Sequence, residues 1–283
     1  MTLDVPSFRD PRYLQIAFLS SFLVSGVGWL GFDVPLWQPP LIVLTACATQ
    51  WAMTRLFRAP PVGYLSPIIT SLGLSLLLRT DALWVGPFAA AVAISSKFVL
   101  RVRGKHLFNP TNLGLVAAIL LTANAWSSPS QWGHGAARLG WFAAFGLAVA
   151  HRSFRSDVSL AFLGSWVLLK AARIFYLGAP WASLQHQLSA GSLILFTFFM
   201  ISDPKTTPDH RGGRILFAVA VACLAFFFLH GLWWQNALIY SLCLLSPFTP
   251  LIDRLLPSGR FQWPGTTSLE RNTECAVVSS PLA

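Results

Sequence analysis

Two short stretches concentrate the polar chemistry of this chain. The first, Lys97 to Gly114, reads KFVLRVRGKHLFNPTNLG; the second, Phe199 to Arg214, reads FMISDPKTTPDHRGGR. Each couples a short polar residue to proline, Asn109-Pro110 in one and Ser202-Asp203-Pro204 in the other, and continues through Thr and Gly into an apolar run. Proline tolerates the first helical position, and Asn or Asp ahead of it satisfies free backbone N–H groups. Both stretches therefore read as helix starts at or inside a membrane surface. Polar groups at that depth are costly and tend to mark sites, so Asn109, Thr111, Asn112, Asp203, Thr206 and Thr207 are expected to line a polar cavity. Lys105, His106, Arg211 and Arg214 would offer positive charge to an electron-rich or anionic ligand. The plainer reading of the same residues is a turn and two caps, with basic side chains that only set topology.

Other chemistries find little support. No nucleophile–base pair or metal-ligand cluster is visible, and the six histidines show no i,i+4 pairing, which argues against a bis-histidine haem. Of the four cysteines, Cys47, Cys223 and Cys243 sit in apolar segments and Cys275 in the C-terminal tail; without a CxxC, neither a disulfide framework nor an iron–sulfur or zinc site is indicated. No catalytic residue and no metal are assigned.

What must position the two stretches follows from composition. Of 283 residues, 54% are hydrophobic and only 11% charged, against about 45–50% and about 25% in soluble domains; the mean hydropathy is +0.59. A polytopic integral membrane protein is the class that remains. Ten apolar stretches can be drawn, at about 13–30, 39–56, 62–78, 82–100, 107–124, 137–151, 157–176, 186–202, 213–230 and 234–251. Backbone groups in lipid must be satisfied internally, and unbroken apolar runs favour helices over barrel strands. The fold class is thus all-α, with about ten transmembrane helices and no room for a second soluble domain.

Placing the N-terminus in the cytoplasm puts sixteen of the 20 Lys and Arg residues on that side, Arg79, Arg138, Lys170 and Arg173 being the exceptions. That asymmetry is what the positive-inside rule requires. The formal charge of +10 then reflects topology and attraction to anionic lipid rather than nucleic-acid binding. Trp29, Trp37, Trp84, Trp126, Trp132, Trp181, Trp233 and Trp234 fall at the opposite ends, as an interfacial belt would. The first apolar stretch is a retained helix rather than a signal peptide, since acidic and basic residues mix before it and no small-x-small site follows. Residues 1–12 form a cytoplasmic segment, 13–255 the transmembrane domain and 256–283 a disordered cytoplasmic tail rich in Ser, Thr, Gly and Pro.

The stretches also suggest two inverted five-helix repeats. The two polar motifs precede the fifth and ninth spans, which strict repeat logic would not pair. The third and eighth spans correspond better, each rich in small residues and each ending in a hydroxyl and an aspartate, Thr80-Asp81 and Ser202-Asp203. Inverted repeats with interrupted helices commonly hold a site at their interface.

At these motifs the chain resembles a known family. Gly104-Lys105-His106-Leu107-Phe108-Asn109-Pro110-Thr111-Asn112-Leu113-Gly114 is similar to the GK-x-x-F-N-P-x-x-x-G signature of the NqrB/RnfD family, membrane flavoprotein subunits of sodium-pumping quinone reductase and of the Rnf electron-transport complex. Met200 to Pro208 with Gly212-Gly213 is similar to its second signature, a T/S-D-P-x-(S/T)-x-P stretch followed by glycine. The resemblance covers about residues 10–255, ten spans included, and the short length resembles the stand-alone RnfD-like branch with the UnbU-type proteins of enediyne gene clusters. Large-complex members carry FMN covalently on the last threonine of an S-G-A-T motif. No such motif occurs here; the nearest string is His134-Gly135-Ala136-Ala137, and alanine cannot form the phosphoester.

The resemblance therefore implies an electron-transport component holding a flavin, FMN or riboflavin, non-covalently. Its candidate binding residues are Lys105, Asn109, Pro110, Thr111, Asn112, Asp203, Pro204, Thr206, Thr207, Arg211 and Gly213. It would sit in the bacterial inner membrane with both termini cytoplasmic, beside other membrane or redox subunits. The competing readings are a permease or channel for a small solute such as a flavin, and a scaffold subunit that has lost its cofactor.

Overall fold

Backbone groups in this apolar chain find their partners almost entirely within helices. A computed structural model describes residues 10–59, 63–127, 147 and 155–261. The stretch expected to span at 137–151, most of the loop before it, and the N- and C-terminal segments 1–9 and 262–283 lie outside the described residues.

Helix α1 (Pro11–Trp29) starts at Asp10, whose side chain accepts from the Arg12 backbone N–H and pairs with its guanidinium at 2.6 Å. It is followed by α2 (Gln38–Leu56), α3 (Leu65–Leu77), β1 (Leu78–Arg79) and α4 (Val85–Val99). The chain then makes a miniature hairpin, β2 (Arg101–Val102) and β3 (Lys105–His106), before α5 (Pro110–Leu121) and β4 (Trp126–Ser127). Arg103 and Gly104 both take positive φ, 52° and 76°, as the two central residues of a tight primed hairpin turn must. That accounts for the glycine opening the first motif.

Further along come α6 (Ser156–Leu177), the short α7 (Ala182–Leu188), and α8 (Gly191–Leu195), which continues as a π-helical turn over Phe196–Met200. Then follow α9 (Arg211–His230), α10 (Ala237–Leu245), a 3₁₀ turn over Ser246–Phe248, and α11 (Thr249–Leu255). Three stretches are long and apolar enough to cross a bilayer by length and composition: Ser156–Leu177, Arg211–His230 and Ala237–Leu255. The protein is an all-α membrane protein; β1 with β4 and β2 with β3 are two-residue ribbons at its ends. Helices α3, α4 and α5 have 13, 15 and 12 residues, only about 18–23 Å at 1.5 Å per residue.

Two of the expected spans are interrupted. The stretch 186–202 breaks at Ser189-Ala190 and ends in the π turn, and 234–251 bends at Ser246-Pro247, where proline withdraws a helical donor. The second motif also departs from its expected form. Asn109 does cap α5, its Oδ1 accepting from Asn112 N at 3.0 Å with Pro110 next. Pro204, by contrast, starts no helix: Asp203 turns the chain by accepting Lys205 N on its carboxylate and Thr207 N on its carbonyl. Helix α9 begins only at Arg211, capped by His210.

Packing separates two ends of the bundle. At one end lie the two motifs, Lys97 and the start of α6; at the other the β1–β4 ribbon, the Ser127–Asn236 bond and exposed tryptophans such as Trp29, Trp84 and Trp233. The core runs between them through Phe22, Ile42, Leu74, Ala93, Leu115, Phe196 and Ala222. Small residues permit the closest approach. A Cβ on Gly114 would lie 2.5 Å from the Ala89 carbonyl oxygen and 2.9 Å from Ala93 Cβ, and one on Gly73 2.8 Å from Thr111 Cγ2. The glycine closing the first motif thus seats α5 on α4, in the manner of small-residue contacts between membrane helices. We expect Gly114→Ala to push these helices apart at a cost of about 1–3 kcal/mol, measured as a drop in detergent melting temperature. An unchanged melting temperature would show the contact to be loose.

Candidate functional site

The two motifs, more than ninety positions apart in sequence, meet at one asparagine. Asn109 Nδ2 donates to the Met200 carbonyl at 3.2 Å and to Asp203 Oδ2 at 3.3 Å, while its Oδ1 holds the α5 N-terminus. The amide is thereby fully engaged in clasping α5 to the chain that leaves the π turn. Thr206 and Thr207 close the same turn, their hydroxyls donating to the Asp203 carbonyl at 3.3 and 3.1 Å.

Beside this clasp lies a cavity of about 150 Å³ that opens to one side. Asn109, Pro110, Thr111, Asp203 and Pro204, all anticipated from sequence, form one wall. Phe98, Phe198 and Phe199 supply apolar faces. Further polar groups come from Gln50 of α2, from Ser66 and Thr70 of α3, and from Lys97 of α4, which opens the first stretch. Arg12, Arg101 and Lys205 stand around them.

Lys97, 5% exposed, donates from Nζ to Ser66 Oγ at 3.1 Å, and among the described residues no carboxylate lies within ion-pair distance of it. Gln50, 3% exposed, has its Oε1 without a hydrogen-bond partner, and so has His106 Nδ1. Unmatched buried polar atoms are uncommon and call for an explanation; three polar groups with spare capacity around one cavity form a ready-made contact set. Burial pushes the His106 imidazole well below its usual range, aided by the positive charge of Arg101, Lys97 and Lys205, so the ring is neutral at pH 7. Burial also raises the Asp203 carboxyl, against the backbone hydrogen bond from Lys205 and the charges of Lys205, Arg155 and Lys97.

The remaining anticipated residues stand away from the cavity. Lys105 pairs with Asp253 at 2.8 Å and Asp209 at 3.2 Å, fastening the hairpin to α11 and to the second motif. Asn112 points from α5 to α10, where its Nδ2 donates to Ile239 O at 3.0 Å. Thr207 accepts from Arg155 Nε at 3.2 Å, and the buried Arg155 guanidinium is lowered to about 10, chiefly by burial. Arg211 is exposed at the start of α9, and Gly213 sits against Ile252, 2.7 Å from where its Cβ would be. Sequence reading thus found the clasp but missed Gln50, Ser66, Thr70 and Lys97. Lys97 was legible only as a topology marker, and the other three are ordinary polar residues in apolar helices.

The sequence model of the NQR2, RnfD, RnfE family matches residues 135–262, which contain the second motif. Three similar curated proteins are each named as a subunit of an ion-translocating oxidoreductase complex. The one from Marinobacter nauticus is 22% identical over 89% of this chain and 90% of its own length. That of Pseudomonas paraeruginosa is 26% identical over 74% of this chain and 79% of its own. That of Tolumonas auensis is 26% identical over 53% of this chain and 43% of its own.

Proposed function

We infer that this chain is a member of the NqrB/RnfD family and works as a membrane electron-transport component whose cavity between the two motifs holds a flavin without a covalent link. The relatives are named as subunits of an ion-translocating oxidoreductase complex, and partnership with other membrane or redox subunits follows from that reading. So do placement in the bacterial inner membrane with cytoplasmic termini, a ten-span count, and a pair of inverted repeats. The repeats gain support from packing order: α2 packs on α4 and α4 on α5, as α6 packs on α9 and α9 on α10.

The observation that carries the flavin reading is the clasp beside a cavity with uncommitted polar groups. The residues present fit such a ring. Phe98, Phe198 and Phe199 offer apolar faces, Lys97 Nζ a donor for ring carbonyls, and Gln50 Oε1 an acceptor for a ring N–H. The contact set differs from the one read from sequence, because Asn109 spends its hydrogen bonds holding the motifs together, Thr206 closes its own turn and Asn112 faces α10. A bound flavin would supply the electron transfer itself. The chain's part is to orient the ring through Gln50 and Lys97, to keep water from it with three phenylalanines, and to keep both motifs in register through Asn109 and Asp203.

Absorbance and fluorescence of the detergent-purified protein, before and after acid precipitation, test this. A yellow pigment released by acid is the expected result; a colourless preparation that cannot be reconstituted with FMN or riboflavin overturns it. One observation favours a permease instead. A second cavity of about 60 Å³, lined by Ser127, Ser192 and Asn236, lies toward the opposite end. The π turn separates the two, Phe198 and Phe199 lining one and Phe196 and Met200 the other. Solute uptake by vesicles containing colourless protein would establish that reading.

A further inference from the structure

Three basic side chains converge between α6 and α9, toward the end away from the two motifs. Lys170 follows Ser156, the first residue of α6, by about 21 Å at 1.5 Å per residue, and is 4% exposed. Its Nζ stands 3.0 Å from His230 Nε2 at the end of α9 and 4.9 Å from the centre of the Trp166 ring. Arg173, half-buried one turn further along the same face of α6, is close enough for its charge to act on both. Among the described residues, no carboxylate lies within ion-pair distance of Lys170 or Arg173, and neither the Arg173 guanidinium nor His230 Nδ1 has a hydrogen-bond partner. Cations elsewhere are answered: Arg214 pairs with Asp157 at 2.6 Å, Lys105 with Asp253 at 2.8 Å, and Arg79 has the charge of Asp33 near it. The sequence from 128 to 154 contains no Asp or Glu to offer. Lys170 and Arg173 are also two of the four residues that run against the positive-inside asymmetry.

An amine is a stronger base than an imidazole, so Lys170 Nζ donates and His230 Nε2 accepts. The hydrogen of the imidazole is then on Nδ1, a donor turned away from Lys170. Trp166 beneath the ammonium, and Phe226 with its ring centre 4.7 Å from that of His230, hold the pair in place. A buried cation behind an N–H donor and a guanidinium makes an anion site, and the guanidinium fork matches phosphate oxygens. Helix α6 ends a few residues beyond, where Phe175, Tyr176 and Trp181 are exposed; aromatic side chains of this kind settle at the level of lipid headgroups. We propose that Arg173 and His230 bind the headgroup phosphate of an anionic phospholipid in the leaflet at this end, with Lys170 as the positioning residue behind them. The site is separate from the cavity between the motifs and stands whether or not a flavin occupies that cavity. A carboxylate of a partner subunit would answer the same charge, but the headgroup depth of the cluster favours lipid.

The purified protein is delipidated in a neutral detergent, and its melting temperature is followed as phosphatidylglycerol or phosphatidylcholine is added. Phosphatidylglycerol is expected to stabilise at concentrations about tenfold lower than phosphatidylcholine, with the advantage shrinking several-fold between about 50 and about 500 mM salt as charge is screened. Arg173→Gln should remove most of that advantage while leaving the lipid-free melting temperature unchanged, a split that general unfolding would not give. Lys170→Met should also lose the preference and Lys170→Arg keep it, a rescue that a packing role alone would not produce. Arg254→Gln, which removes an exposed charge at the motif end, should leave phosphatidylglycerol affinity within about twofold. Equal losses in Arg173→Gln and Arg254→Gln reduce the effect to diffuse attraction and overturn the proposal. An equal response to the two lipids leaves the cations to a partner's carboxylate and overturns it as well. Stabilisation by inorganic phosphate as strong as that by phosphatidylglycerol assigns the site to a soluble anion and overturns the lipid assignment.

Discussion

Asp203→Ala is expected to abolish flavin retention through purification while the protein still inserts in the membrane. Asp203 makes both halves of the second motif's turn: Oδ1 accepts the Lys205 backbone N–H at 3.0 Å, and Oδ2 accepts the Asn109 amide at 3.3 Å. Hydrogen bonds to a charged group contribute about 1.5–3 kcal/mol, and their loss in a half-buried place leaves donors without partners. Freed from Asp203, Asn109 Nδ2 keeps Met200 O alone, so the cavity wall loses its register at the point where both motifs meet. The expected loss of ligand affinity is therefore tenfold or more, each tenfold being about 1.4 kcal/mol. Asn109→Ala should behave alike, because it removes the other half of the same contact and the α5 cap as well. Asp203→Asn is the informative intermediate. It retains an acceptor for Lys205 N, and because burial already raises the carboxyl, replacing a charge by an amide costs less there than on an open surface. Flavin-to-protein ratio by absorbance and cysteine accessibility in intact cells report the two properties separately. Full occupancy in both alanine variants would reduce the motifs to helix caps.

Much of the bundle was legible because membrane insertion constrains sequence so strongly. Apolar runs at 157–176 and 213–230 correspond to α6 and α9 almost to the residue, since in lipid a helix must satisfy its own backbone and can do so only over an uninterrupted run. Asn109-Pro110 announced the α5 start for an equally local reason. The second motif misled because Asp-Pro suits a turn as well as a cap, and the helix start falls instead at Arg211, behind the His210 cap. What one sequence could not disclose is side-chain allegiance across helices. Asn112 and Thr206 look like cavity residues by type, yet one serves the α5–α10 contact and the other its own turn. Gln50 and Lys97 look like an interfacial polar residue and a topology charge, yet the packing of α2 on α4 brings both to the cavity. Helix periodicity fixes which residues share a face; which neighbour that face meets depends on small-residue contacts such as Gly114 on Ala89.

Lys97→Met should lower the midpoint potential of the bound flavin by about 45–65 mV, by the charge argument that follows. A flavin gains negative charge on reduction, and a nearby ammonium stabilises that form over the oxidised one. At a separation of about 4–6 Å and an effective dielectric near 20, the attraction is about 3–4 kcal/mol. Replacement by a methionine of similar length removes the charge while keeping the apolar stem, and water entering the open side of the cavity compensates part of it. A net loss of about 2–3 kcal/mol corresponds to that shift, at about 1.4 kcal/mol per 30 mV for a two-electron couple. Two controls isolate charge from packing. Lys97→Arg retains the cation and should stay within about 20 mV of the parent, while Ser66→Ala removes the hydroxyl that accepts from Nζ at 3.1 Å and should shift the potential little. The choice of residue matters, because sequence alone pointed to Lys105 and Arg211 as the charges acting on the ring. Lys105 is neutralised by Asp253 and Asp209, and Arg211 is exposed to solvent, so Lys105→Met and Arg211→Met should leave the potential nearly unmoved. A potential that follows Lys105 and ignores Lys97 would place the ring outside the cavity, on the hairpin side of the clasp.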